Sequence, residues 1–398
     1  MSVTDVATSL ESLPARFKAG SGSVDGRFRI NVGSVSRDVV VSADACRVES
    51  PNGVVPHVEI STDPTTWRQM DAGRMSGIEA FARKRLTIRG SIEKTLHFEP
   101  MFERPDAGAV AHSMRAIRVH GATISTLVAG PVDAPPLVLI HGLGATKASW
   151  LTVVPSLAAH HRVVALDLPG FGASSKPLGS YDAKWFAKYV SGLLDALGLQ
   201  RTFLAGNSMG GRVAMEVAMR HPERVEAIAC LCPVAAFTNR PVLLFARLLR
   251  PELGLLAGRL PRKRMKEGLR QLFADASCLD EAWYDAAIDD FLQVWKSPRA
   301  RIAFARSLRN IYLDEPEGEK GFWMRLSRME TPALFIYGKR DVLITHQFGR
   351  RIRKTLPSAK VCVWRDCGHV PQIEFPERTA RTMVDFFESS ASKRAEAG

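Results

Sequence analysis

Residues 202–214, TFLAGNSMGGRVA, decide how this chain is read. An apolar run leads into Gly206-Asn207-Ser208-Met209-Gly210, and MGGRVAMEVAMRH then carries helical spacing. Ser208 therefore sits at a strand-to-helix turn with a glycine two residues to either side. If the turn is tight, the flanking positions approach so closely that neither has room for a Cβ. The serine then takes a strained backbone and its hydroxyl is lifted above the sheet. By composition alone Gly-x-Ser-x-Gly arises in roughly one chain of this length in eight, so the weight lies in the strand before it and the helix after it. The plainer alternative for Ser208 is a cap at a glycine-rich helix start.

A serine hydroxyl needs a base, and the base needs an orienting acid. With this bend on a parallel sheet the chain order is Ser, acid, His. Three histidines follow Ser208. His221, in RHPERV, reads as a surface residue at a helix end, and His346 opens a helix after ALFIYGKRDVLIT. His369, in RDCGHVPQIEFPE, directly follows the last apolar strand, where loops beyond strand ends form sites. His369 is the candidate base. Asp341, three residues after ALFIYG, is the candidate acid, with a turn or N-cap role as its alternative and Asp366 as the substitute. The oxyanion needs two donors. The Met209 N–H lies at a helix start, where the dipole helps, and the Leu143 N–H lies in His141-Gly142-Leu143-Gly144 after the run PLVLI. His141 precedes Ser208 and reads as a shaper of that loop. Asp167, in LDLPGFGAS, reads as a loop anchor.

The rhythm of the chain changes near residue 104. Before it, RFRINVG, RDVVVSADACRVES, HVEISTD and RLTIRGS alternate like half-buried strands, and DPTTWRQMDAG, SGIEAFARKR and SIEKTLHFEPMF read as helices. This is an α+β pattern over residues 1–104. RPDAGAVAH, taken as a linker over 105–112, lacks periodicity. From 113 to 398 short apolar runs alternate with helical stretches, which predicts an α/β architecture around a mostly parallel sheet covered on both faces. Residues 238–329 are helical only and read as an inserted cap.

Composition excludes little but narrows much. With 398 residues, 46% hydrophobic and 24% charged, the chain suits two globular domains. No basic-then-apolar leader and no run of about 18 apolar residues is present, which predicts a cytoplasmic protein, or one held peripherally at a membrane. The six cysteines form no Cys-x-x-Cys pair and no zinc spacing, so neither metal nor cofactor is expected. The net charge of +13 raises nucleic acid as a partner, but no recognition motif accompanies it and no nucleic acid is expected. Residues 240–270 are leucine-rich and strongly basic, which fits an anionic membrane surface or, more plainly, a cap with one buried and one solvated face.

Residues 113–398 resemble a serine-type α/β-hydrolase: HGLG, LDLPGFGAS, GNSMGG, GKRDVL and CGHVPQIEFPE stand in that family's order and spacing. The resemblance implies a Ser208–His369–Asp341 triad, a covalent acyl-enzyme and no cofactor. Residues 8–103 resemble a sterol-carrier-protein-2-like domain, departing where AFARKR replaces a small, glycine-containing lead into LTIRG. That resemblance implies a lipid-holding tunnel, and with it a hydrophobic ester or thioester as substrate. Two competing readings accompany this one. One is a carbon–carbon bond hydrolase of ring-cleavage products, in which Trp often follows the histidine where this chain has Val370. The other is a lipid carrier with an idle hydrolase part. Oligomeric state is left open by the sequence.

Overall fold

The computed structural model describes residues 3–20, 24–235, 250, 252 and 261–396. Two sheets organise the chain. The N-terminal sheet holds β1 (Gly26–Val32), β2 (Val35–Val41), β3 (Cys46–Glu49), β4 (Val58–Thr62) and β5 (Leu86–Gly90) in the order β3-β2-β1-β4-β5. Only the β1–β4 pair is parallel. Helices α1 (Val3–Glu11), α2 (Pro64–Asp71), α3 (Gly77–Ala82) and α4 (Ile92–Phe98) accompany it.

Local chemistry sets the ends of these helices. Asp63 accepts from the Thr65 and Thr66 N–H groups with Pro64 at the first turn. Ser76 and Glu79 form a reciprocal capping box, and Ser91 caps α4. Where AFARKR lacks glycine, Lys84 takes φ +57°, the left-handed conformation a glycine would supply, and the Arg85 N–H donates to the Ala80 carbonyl. The Lys84 side chain reaches across to the Cys278 carbonyl, 2.5 Å away.

No helix or strand occurs over 103–111, and β6 (His112–Val119) opens on the last residue of the stretch read as linker. It forms a hairpin with β7 (Ala122–Ala129). The remaining strands are β8 (Pro136–Ile140), β9 (Arg162–Leu166), β10 (Thr202–Asn207), β11 (Val225–Leu231), β12 (Ala333–Gly338) and β13 (Lys360–Trp364), in the order β13-β12-β11-β10-β8-β9-β7-β6. From β13 to β9 all pairs are parallel. The parallel strands are nearly continuous apolar runs because both faces are covered. Helices α5 (Val154–Ala158), α6 (Ala183–Ala196) and α7 (Met209–Arg220) connect them. Between β11 and β12 the described residues are helical: α8 (Arg262–Arg270), α9 (Glu281–Trp295), α10 (Pro298–Leu313) and α11 (Phe322–Ser327). Helices α12 (Phe348–Thr355), α13 (Pro371–Glu374) and α14 (Pro376–Ala395) complete the chain.

Of the basic stretch 240–270, residues 240–249, 251 and 253–260 lie outside the described residues. Within α8 three of the five cations pair with α9, while Lys263 and Arg264 are exposed. Arg262 pairs with Asp285 and Asp289, Lys266 with Glu281 and Asp285, and Arg270 with Glu281. Among the described residues no helix is long and apolar enough to cross a membrane. All six cysteines are free thiols.

Candidate active site

The bend at Ser208 is as tight as its glycines require. A Cβ on Gly206 would lie 2.2 Å from the backbone of Gly210, and one on Gly210 would lie 2.1 Å from the Ile140 carbonyl oxygen. Ser208 has φ 54° and ψ −116°, and its side chain makes no capping hydrogen bond to α7. The capping alternative therefore fails. A non-glycine residue in such a conformation costs about 1–3 kcal/mol, held by the bonds around it: the Ser208 N–H donates to Leu231 and its carbonyl accepts from Arg212 and Val234.

His369 and Asp341 are brought together from two different strand ends. His369 Nδ1 lies 2.7 Å from Asp341 Oδ2, both side chains being almost fully buried. The other oxygen, Oδ1, accepts from the Leu343 and Ile344 N–H groups at 2.8 and 2.9 Å. Asp341 is thus both turn former and histidine partner. With Nδ1–H donated to a carboxylate, Nε2 keeps its lone pair. Asp366 pairs instead with Arg378 at the surface, His346 lies in the loop just before α12, and His221 is a helix-end residue facing Glu223.

Several residues with no sequence signal complete the surroundings. The Asn207 amide donates to the carbonyl of His369 at 3.0 Å and of Leu231 at 3.1 Å, tying the histidine loop to the residue beside Ser208. Glu374 accepts from the Gly368 N–H at 2.9 Å and the Ala274 N–H at 2.8 Å, and the His369 N–H donates to the Leu272 carbonyl at 2.6 Å. The cap segment 272–274 is therefore bonded to the histidine loop. Burial pushes the Glu374 carboxyl upward despite these N–H donors. Cys232 lies with Asp341 and His369 so that one ligand-type atom of each falls within 4.8 Å of the others. Burial holds its thiol well above the ordinary range, so a cation there would have to displace both the thiol proton and the Asp341–His369 bond.

The loop after β8 lies against the bend. A Cβ on Gly142 would be 3.3 Å from Ser208 Cβ. Met209 is the first residue of α7, and among the described residues the Leu143 N–H has no hydrogen-bond acceptor. The fully buried His141 accepts from the Leu168 N–H at Nε2, 3.0 Å, which leaves Nδ1 protonated to donate to the Gly142 carbonyl at 2.7 Å. Burial keeps it neutral by lowering its pKa. Asp167 binds the Lys147 and Ala173 N–H groups and the Lys147 ammonium, anchoring two loops at once.

Two of the apolar pockets among the described residues bear on a hydrophobic ligand, one in each part of the chain. One lies between the loops 144–146 and 170–172 and the cap side chains Phe291, Trp295 and Phe304. Phe291 stacks on Trp295 at 5.4 Å, and Phe304 meets both edge-on. The other lies between the N-terminal sheet and its helices, among Ile60, Trp67, Ile78, Ile88 and Leu96, with Leu151 and His112 reaching it from the second part of the chain.

The alpha/beta hydrolase fold family model matches residues 135–376, and the SCP-2 sterol transfer family matches residues 11–103. The dihydrolipoyllysine-residue acetyltransferase component of an acetoin cleaving system from Pseudomonas putida is 28% identical over 359 residues, 90% of either chain. A 2-hydroxy-6-oxononadienedioate/2-hydroxy-6-oxononatrienedioate hydrolase from Dechloromonas aromatica is 30% identical over 260 residues, 63% of this chain and 86% of its own. The solved structure of a membrane phospholipase A, a bacterial virulence factor, matches with a TM-score of 0.59 at 31% identity, covering 70% of this chain and 87% of that one. The strand order, the glycine-flanked bend and a family match over more than half of its residues agree: the chain belongs to the alpha/beta hydrolase fold family and carries an N-terminal SCP-2 sterol transfer family domain.

Proposed function

We propose that the protein hydrolyses an ester, or a thioester, of a hydrophobic acyl compound through Ser208, His369 and Asp341. Ser208 Oγ attacks the carbonyl carbon while His369 Nε2 takes its proton. The tetrahedral oxyanion rests on the N–H groups of Leu143 and Met209, where a preorganised donor pair is worth several kcal/mol. Collapse expels the alcohol, which takes the proton from His369. Water, deprotonated by the same imidazole, then releases the acid. Asp341 fixes the tautomer and stabilises the imidazolium. The observation that carries this reading is the 2.7 Å His369–Asp341 contact and a serine held at φ 54° with, among the described residues, no competing side-chain bond.

The acyl group is assigned to the cavity under Phe291, Trp295 and Phe304, whose lining is apolar and aromatic. The N-terminal cavity is the accessory lipid site. A phospholipase among the similar structures fits a lipid ester. Carbon–carbon cleavage has support from the similar dioate hydrolase, but such a substrate carries two carboxylates. The cavity lining holds no cation among the described residues, and Asp290 stands beside Thr146 at its edge. A neutral acyl chain suits it better. An anionic membrane as a partner draws less support, since Arg262, Lys266 and Arg270 of α8 are engaged by α9, leaving only Lys263 and Arg264 of that helix exposed and outside these pairs. The test is a series of p-nitrophenyl esters of rising chain length together with a fluorophosphonate probe. Turnover peaking at medium or long chains, and probe attached at Ser208 and lost in Ser208→Ala, is the expected result. Cleavage of a vinylogous diketone without ester turnover would move the reading to carbon–carbon hydrolysis. Fatty-acid binding with no turnover at all would move it to a carrier.

A further inference from the structure

Helix α4 belongs to the N-terminal domain, yet its Glu93 reaches into the hydrolase core. Glu93 Oε2 accepts from Lys147 Nζ at 2.5 Å, and Lys147 also donates to Asp167 Oδ2 at 2.8 Å and Ser125 Oγ at 3.0 Å. The Lys147 and Asp167 side chains are fully buried; that of Glu93 is 30% exposed. All three N–H groups of the ammonium are thereby engaged. Burial works against the Lys147 charge, but Asp167 and Glu93 outweigh it and keep the lysine protonated.

The place of Lys147 in the chain makes this more than domain cement. It ends the loop that starts at His141 and contains Leu143. That loop is pinned at its start by the His141–Leu168 bond and at its end by Lys147, whose backbone N–H donates to Asp167 at 2.7 Å. The end pin thus depends on a charge supplied by another domain. A second contact parallels it: Lys84 of the same domain bonds the cap at Cys278, and the cap bonds the His369 N–H through Leu272.

We propose that Glu93 is a positioning residue for hydrolysis: by neutralising Lys147 it holds the His141–Lys147 loop so that the Leu143 N–H meets the oxyanion. The inference rests on the serine-hydrolase reading above. With Gln at 93 the buried ammonium keeps one carboxylate and exchanges a charged acceptor for a neutral amide oxygen, and the loop shifts or loosens to bring water to the under-neutralised charge. Because the oxyanion exists only in the transition state, the loss falls on kcat and not on KM. Mere cement between domains would alter melting and leave that split untouched.

The experiment uses the full chain. Glu93→Gln is compared with wild type and with Glu103→Gln, an exposed carboxylate of the same domain. Read out are kcat and KM on p-nitrophenyl butyrate and the rate at which a fluorophosphonate modifies Ser208. The expected result is a fall of roughly ten- to hundredfold in kcat and in modification rate, with KM within about twofold and Glu103→Gln at wild-type rate. Lys147→Met also removes the Asp167 and Ser125 bonds, so alone it should cost at least as much as Glu93→Gln, and adding Glu93→Gln to it should cost little more, since Glu93 acts through Lys147. Should Glu93→Gln fail to fold, Glu93→Asp keeps the charge but shortens the reach, and a several-fold loss in kcat is expected. A folded Glu93 variant that turns over and labels at the wild-type rate overturns the proposal alone. Wild-type protein that neither labels nor hydrolyses overturns the serine reading and this one with it.

Discussion

In the N-terminal sheet, side chains surround space: a mostly apolar pocket is lined from strands and helices alike, Ile60, Ile78, Ile88 and Leu96 among them, with Leu151 of the second part of the chain. In the eight-stranded sheet, backbone and polar atoms meet at fixed points: a Cβ missing at Gly210, a φ of 54° at Ser208, a 2.7 Å contact at His369. A function of volume is shared among many side chains and tolerates change. A function of atomic placement is concentrated and does not. The contrast predicts that substitutions at the second sheet's bend and its partners act on rate steeply, and those in the apolar lining of the first sheet's pocket act on affinity gently.

The largest expected effect is at Asp341. Asp341→Asn keeps the shape and can still accept at Oδ1 from Leu343 and Ile344, but its amide, turned toward the ring, favours the wrong imidazole tautomer. A loss of roughly 10³- to 10⁴-fold in kcat is expected, with little change in KM. Steady-state kinetics on a p-nitrophenyl ester checks it. A loss below tenfold would mean that the Asp341–His369 contact is structural, and the contrast between the two sheets would weaken.

Asp290 tests the ground between the regions. It lies on α9, accepts from Thr146 Oγ at 3.3 Å, and faces Asp167, Glu93 and Lys147. Burial first, then the two carboxylates, push its pKa up to about 7 against the pull of Lys147. Between its ordinary 3.8 and about 7 the folded state holds a proton that the unfolded state has released. The folded state binds more protons there, so stability falls as pH rises through that window and the full cost is present above it. Asp290→Asn removes this dependence. Its stability should gain on wild type by about 2 kcal/mol between pH 5 and pH 8, read by urea unfolding at the two pH values. A constant difference would show that Asp290 is ionised throughout.

What the sequence made legible follows the same division. The bend was readable because Gly206 and Gly210 are demanded by backbone contact, and contact of that kind leaves a letter in the sequence. The pairing of His369 with Asp341 was readable from chain order, since each follows an apolar strand. The β6–β7 hairpin was not picked out, although His120-Gly121 marks it: both have positive φ, 48° and 80°, as a two-residue turn requires. Histidine is an uncommon residue there and hid the signal. Lys84 hid the helix C-cap in the same way. Glu93, Asn207 and Glu374 were invisible for a different reason. Their partners lie 54, 162 and 100 residues away, and nothing in local spacing encodes a bond that only the tertiary fold closes.

The smallest effect is expected where volume alone is at stake. Ile60, on β4, lines the N-terminal cavity and is 5% exposed. Ile60→Phe adds bulk that the surrounding apolar side chains must yield to, at a cost of about 1–3 kcal/mol in an ordinary core. Here part of that bulk can enter existing space, so the stability change should fall at the low end. A bound acyl chain loses some of the room. Fluorescent fatty-acid affinity should therefore drop roughly three- to tenfold, equivalent to about 1 kcal/mol, while turnover of a short ester stays within about twofold. Unchanged affinity would place the lipid elsewhere. A collapse of short-ester turnover would show that this cavity and the bend at Ser208 are coupled through packing as well as through charge, and the two sheets would then have to be treated as one site.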